Sequence, residues 1–150
     1  MESIEKISSG WSRANLFKQT ILFPNNSYEL IDLIKINFKK NEKYTLRGGG
    51  QSLFDMATSK YNKVICLKKL NKIIEFNKIE KTLTVEAGVT VRDLINYIKD
   101  NDYILTSLPG TLDATVGGII SNNSHGKDTK YGNFCNRIIS LKILLTNGTV

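Results

Sequence analysis

Two cysteines, two prolines, one tryptophan and one histidine are all that these 150 residues hold of four informative types, and each scarcity excludes something. Cys66 lies in the apolar run Val64-Ile65-Cys66-Leu67 and Cys135 in a polar stretch. That spacing fits neither a disulfide framework nor a metal site, so a reducing compartment is expected. A single histidine without an acidic cluster cannot assemble a metal centre, and no metal is expected. Long apolar runs are missing too: none approaches the roughly 18 residues that a membrane helix needs. The charged start, Met1-Glu2-Ser3-Ile4-Glu5-Lys6, has no signal-peptide core. A cytoplasmic protein without a transmembrane segment is expected, and the sequons at Asn25, Asn122 and Asn147 read as chance. No internal repeat or low-complexity tract occurs. Arginine is confined to Arg13, Arg47, Arg92 and Arg137, and the lysines are dispersed. The net charge of +7 (21 basic less 14 acidic groups) suits an anionic ligand such as a phosphate. Without a basic block or a known motif it does not point to nucleic acid.

What is there is enough for one core. A chain of this length with 41% hydrophobic residues is expected to be a single domain, 1–150. Residues 1–19 read as an irregular arm. Thr20-Ile21-Leu22-Phe23 reads as a strand stopped by Pro24. Asn26, with Glu29 three residues on, starts a helix to about Lys40 that packs through Leu30, Leu33, Ile34 and Phe38. Tyr44 to Arg47 is a second strand, which completes a βαβ unit with a glycine loop at the carboxyl end of a strand, where α/β sheets tend to bind ligands. Lys63 to Leu67, Ile73 to Asn77 and Thr82 to Ala87 read as three short strands. Gly88 ends the last of these, and Thr90 with Asp93 caps a helix to about Asn101 through Val91, Leu94, Ile95 and Ile98. Ile138 to Leu145 reads as a strand entering an Asn147-Gly148 hairpin turn. Because the returning arm of that hairpin would follow Val150, the sequence is expected to be the N-terminal piece of a longer protein.

Two side-chain-poor stretches stand out, Arg47-Gly48-Gly49-Gly50-Gln51-Ser52 and Leu105 to Gly126, the second holding Pro109-Gly110-Thr111, Thr115-Val116-Gly117-Gly118 and Asn122-Asn123-Ser124-His125. Paired glycines allow another backbone or a ligand to approach closely. The first stretch reads either as a turn or as a nest of N–H groups that converge on a diphosphate. It is not a P-loop, since no Gly-Lys-Ser/Thr follows, and it lacks the Rossmann spacing. His125 is the one group with a neutral-range titration, and reads as a catalytic base or a satisfied structural donor. Lys127 either meets an anionic substrate or is solvated. The expectation is that the two stretches meet in space and hold one ligand.

Taken together and in this order, Arg47 to Ser52, the step Val85-Glu86-Ala87-Gly88-Val89, Pro109-Gly110-Thr111 and Thr115 to Gly118 resemble the flavin-binding half of the vanillyl-alcohol-oxidase or PCMH-type FAD-binding oxidoreductases. Within that family Gly10-Trp11-Ser12-Arg13 and His125-Gly126-Lys127-Asp128, followed by Gly132-Asn133-Phe134, resemble the decaprenylphosphoryl-ribose 2-oxidase branch. Departures are Ser12 for glycine, Asp128 for asparagine, and Leu53-Phe54 where that branch usually has Tyr-Gly. The resemblance implies an α+β fold, a PCMH-type FAD-binding domain with an N-terminal βαβ subdomain followed by a mixed or antiparallel sheet with helices, truncated at its C-terminus. It implies FAD bound through Arg47, Gly48, Gly49, Gly50, Gln51, Ser52, Leu53, Pro109, Gly110, Thr115, Val116, Gly117, Gly118, Asn122, Asn123, Ser124 and His125, with Lys127 towards the substrate. Gln51 stands where covalent members of the family carry histidine, so the FAD is expected to be non-covalent. The implied reaction is oxidation of a secondary alcohol on a sugar-like substrate, a lipid-phosphoryl pentose if the branch resemblance holds, by hydride transfer to flavin N5. A reductase partner follows if the protein is epimerase-like, and membrane association if the substrate is lipid-linked. The alternatives are an alditol or aldonolactone oxidase, or a nucleotide-binding remnant without catalysis.

Overall fold

The computed structural model describes residues 1–58, 61, 63–127 and 130–150, so Asp128 of the His-Gly-Lys-Asp run lies outside the described residues. In chain order the elements are β1 (Glu2–Ser8), β2 (Phe17–Phe23), α1 (Ser27–Lys39), β3 (Thr45–Arg47), β4 (Lys63–Cys66), β5 (Ile73–Asn77), β6 (Thr82–Val85), α2 (Val91–Lys99) and α3 (Val116–Ser121). The first sheet has the order β1-β2-β4-β3. β4 runs parallel to both of its neighbours, with Leu22 and Leu46 each opposite Ile65. A strand enclosed in this way is apolar where it is covered: Val64, Ile65 and Cys66 are buried, and Lys63 stands at its half-buried start. The βαβ unit forms as expected, except that β4 inserts between β2 and β3.

The arm expected to be irregular contains β1, which pairs antiparallel with β2 from Glu2 opposite Phe23 to Ser8 opposite Phe17. β1 is an edge strand exposed at every residue but Ser8, so it has no alternating apolar face to announce it. α1 starts as expected: Glu29 N donates to Asn26 Oδ1 at 2.9 Å. The Glu29 carboxylate accepts from Asn25 N instead of Asn26 N. Its inner face needs correcting. Ile34 and Asn37 are buried whereas Phe38 is 57% exposed. Asn37 follows Ile34 at the i+3 position of the same face. Its amide is satisfied there, donating to Leu33 O and accepting from Lys63 Nζ.

β5 and β6 form a separate antiparallel pair, with an irregularity between Ile73 and Glu75. α2 carries the full Thr90/Asp93 capping box and buries Val91, Leu94 and Ile98. Val91 and Leu94 join Val89, Val116, Ile119 and Phe134 in a second core, separate from the Ile21, Val64 and Cys66 cluster of the first sheet. α3 arises in the second side-chain-poor stretch, in spite of its two glycines. Thr115 caps it, and Val116 N and Gly117 N donate to the Val89 and Ala87 carbonyls at 2.8 Å. The expected strand from Ile138 to Leu145 pairs with no strand among the described residues, and Ile139, Leu141, Ile143 and Leu145 are all more than half exposed. The turn after it does form: Leu145 N donates to Thr149 O, with Gly148 at φ 85°. No helix among the described residues is long and apolar enough to cross a membrane.

Candidate functional site

The glycine loop leaves β3 at Arg47 and is held from below by its carbonyls. Gly48 O accepts from Cys66 Sγ, Gly49 O from Gln51 Nε2, Ser52 O from Trp11 N and Leu53 O from Ser12 N. The amide hydrogens are used differently. Among the described residues, none of the five successive N–H groups from Gly49 to Leu53 donates a hydrogen bond within the protein. Gly50 at φ 73° turns the chain through the left-handed region in the middle of this run. Unspent successive donors around a left-handed residue make an anion-binding concavity.

Arg47 organises this loop from beneath. Its guanidinium is half-buried under Gly50, where a β-carbon would stand 2.6 Å from Cζ. Nη1 donates to Ser9 O at 3.2 Å and to Ala57 O at 2.8 Å. Burial lowers the Arg47 pKa from its ordinary value, with Cys66 acting in the opposite sense. Arginine nevertheless stays protonated in proteins. Two of its donors are thus committed to tying the N-terminal arm and residue 57 to the loop.

The second glycine-containing stretch lies against the first. A β-carbon on Gly48 would overlap the Thr115 hydroxyl, and one on Gly49 would overlap the Asp113 carbonyl. Thr111 Oγ1 donates to Gln51 Oε1 at 3.2 Å. Gly117 is small because of Ala87, whose Cβ would be 2.9 Å from a β-carbon there. Gly110 differs, since a β-carbon on it would meet nothing within 4 Å. The first donors of α3 are spent on Val89 O, Ala87 O and Thr115 Oγ1, so the start of this helix offers no free N–H to a ligand.

Asn122, Asn123 and Ser124 close the C-terminus of α3: their N–H groups donate to Gly118 O, Ile120 O and Ile119 O. His125 is exposed, with Nδ1 3.1 Å from Gly126 O, and Lys127 is exposed. Gly126 packs against the Leu108 carbonyl, which puts this segment beside Pro109. Ser107 is a residue that sequence reasoning passed over. It is 2% exposed with φ 63°, and its hydroxyl has no partner among the described residues. A serine within a Leu-Thr-Ser-Leu run gives no sequence signal of that geometry. Among the described residues no group of acidic, histidine or cysteine side chains could hold a metal. A recess of about 370 Å³ elsewhere is lined by Asn41, Glu42, Lys43, Tyr61 and Lys63 and includes none of these segments.

Residues 19–150 match the family described as FAD binding domain. The chain is 29% identical to mouse L-gulonolactone oxidase over 127 residues, which are 85% of this chain and 29% of that protein. It is 30% identical to the mitochondrial cytochrome-type D-lactate dehydrogenase 1 of Saccharomyces cerevisiae over 135 residues, 87% of this chain and 23% of that one. A solved structure of alkyldihydroxyacetonephosphate synthase superposes with a TM-score of 0.71 at 21% identity, covering 83% of this chain and 25% of the other, which speaks for the fold. The chain spans less than a third of the length of each of these proteins. Matched along nearly its whole length, it belongs to the FAD binding domain family, within the PCMH-type FAD oxidoreductase superfamily, and the cofactor of that family is FAD.

Proposed function

We propose that residues 1–150 form the FAD-binding part of a flavin-dependent oxidoreductase acting on a CH–OH group. The observation that carries this reading is the run of five unspent N–H groups from Gly49 to Leu53, braced from one side by residues 111–115. A diphosphate is an ordinary partner for such a row. The donor set fits FAD without any added cation. Gly48, Gly49, Gly50, Gln51, Ser52 and Leu53 would hold the diphosphate, and Arg47 would hold the loop in shape. Pro109, Gly110 and Thr115 to Gly118 would line the cofactor as a surface free of bulky side chains. Asn122 to His125 would contact it from beyond α3, and Lys127 would face the substrate. Gln51 offers no nucleophilic ring nitrogen, so the cofactor is held non-covalently.

Bound FAD supplies a two-electron acceptor for alcohol oxidation. The chain's own share is to bind and orient. His125, whose Nδ1 lies beside the Gly126 carbonyl, would position a polar group of the cofactor instead of abstracting a proton. The substrate is a secondary alcohol of a sugar-like molecule, in the lipid-phosphoryl pentose branch that Gly10 to Arg13 and His125 to Lys127 resemble, with a reductase partner and membrane association following from that assignment. The similarity to L-gulonolactone oxidase supports a second reading, an oxidase of the aldonolactone type.

The test begins with equilibrium dialysis of the protein against FAD, followed by acid precipitation. Saturable binding with flavin released into the supernatant supports the proposal. Lack of binding removes it, and flavin retained in the pellet removes the non-covalent part. Reduction of the bound flavin by phosphoryl pentoses or by aldonolactones then separates the two substrate readings.

A further inference from the structure

Trp11 is the only tryptophan of the chain, and 64% of its surface is exposed although it stands at the edge of the glycine loop. Its N–H donates to Ser52 O at 2.8 Å, and Ser12 N donates to Leu53 O at 3.2 Å. Gly10 makes this approach possible: a β-carbon there would lie 2.8 Å from the Phe54 carbonyl carbon and 3.0 Å from Ser52 O. The loop therefore has two unlike flanks. At Gly48 and Gly49 it meets Thr115 and Asp113; at Ser52 and Leu53 it meets the backbone that carries Trp11. Leu53 and Phe54, next along the loop, are also mostly exposed. A dinucleotide has a planar ring system on each side of its diphosphate. A row of donors flanked by the backbone that carries an exposed indole suits one of those rings, because offset stacking on an aromatic face removes apolar area from water on both partners.

We infer that Trp11 forms the aromatic wall of the nucleotide site and packs against a planar ring of the phosphorylated cofactor held by the Gly49–Leu53 amides. This rests on the reading of the chain as an FAD-binding part. Nothing else in the arm explains why a glycine-dependent contact brings a large exposed ring to this position.

Two measurements test it. The first is oxidation of Trp11 by N-bromosuccinimide, followed by mass spectrometry, with and without saturating FAD, FMN or ADP. The second is equilibrium dialysis of FAD with the protein and its Trp11→Phe and Trp11→Ala variants. FAD is expected to slow the oxidation severalfold. Trp11→Ala is expected to bind FAD roughly three- to tenfold more weakly, and Trp11→Phe close to normally. Protection by FMN assigns the isoalloxazine and protection by ADP the adenine, and either supports the inference. Unchanged oxidation in FAD-saturated protein, with equal affinity in Trp11→Ala, overturns the inference and leaves the FAD reading intact. Failure of the unaltered protein to bind FAD overturns both. If Trp11→Ala loses its circular dichroism signal, the oxidation experiment on the unaltered protein decides.

Discussion

The hydroxyl of Thr115 occupies the place that a side chain on Gly48 would need. Thr115 is 1% exposed and caps α3 by accepting from Gly118 N, so it cannot swing away without releasing the helix. Residues 67 positions apart in sequence thus lock the first sheet to the second core.

Gly48→Ala is expected to destabilise the protein by about 1–3 kcal/mol through overpacking. Thr115→Ala alone is expected to cost about 1 kcal/mol as a lost cap. Since removing the hydroxyl makes room for the added methyl, the double variant should cost less than the sum of the two. Urea unfolding of all four proteins measures the coupling, and strict additivity would contradict the contact.

Arg47→Lys keeps the charge but cannot reproduce a planar fork that reaches two carbonyls. Ser9 O or Ala57 O would lose its donor. The expected loss is about 1–3 kcal/mol in urea unfolding, accompanied by faster hydrogen exchange in residues 8–12, which the guanidinium ties down.

Gly110 and Gly88 separate ligand effects from packing effects. A β-carbon on Gly110 meets nothing, whereas one on Gly88 would lie 2.6 Å from Leu70 O and overlap Leu67 O. Gly110→Ala should leave stability within about 0.5 kcal/mol while weakening FAD binding in dialysis. Gly88→Ala should lower the thermal midpoint even without FAD.

Acid should destabilise the fold in a defined window. The hydrogen bond from Lys63 holds the Glu42 carboxyl below the ordinary 4.5, and the Asn25 backbone N–H does the same for Glu29. With folded pKa values lowered, the unfolded chain binds more protons just below 4.5. The stability these carboxylates give is fully present above that value and is lost as pH falls through the folded pKa. Urea midpoints between pH 6 and pH 3 should therefore fall, less steeply for Glu42→Gln, and added salt should reduce the difference between the two proteins because Glu42 is exposed.

Sequence reading reached the features that repeat a local rule. The capping residues Asn26 and Thr90, the apolar face Val91-Leu94-Ile98 and the Asn147-Gly148 turn are each decided within a few residues. Elements decided by distant partners were not legible. β1 exists because β2 supplies hydrogen bonds to a strand that buries almost nothing. α3 contains two glycines and forms because the carbonyls of Ala87 and Val89 take its first donors. Asn37 displaces Phe38 from the interior because Lys63, on another element, donates to the oxygen of the buried amide. Ile138 to Leu145 has strand composition, yet composition makes a strand only where a neighbour pairs with it. At the site, the glycine loop and the 109–118 segment were visible as scarcity of side chains. The inward commitment of Arg47 was not, because an arginine before glycines looks the same whether it faces a phosphate or two carbonyls.

The most direct test of the central claim is an amide-resolved NMR titration of the protein with FAD. The signals of Gly49, Gly50, Gln51, Ser52 and Leu53 are expected to shift together and to gain protection from hydrogen exchange on saturation, with Thr111 and Gly110 responding alongside. Saturable FAD binding that leaves those five amides unmoved, or no binding at all, would contradict it.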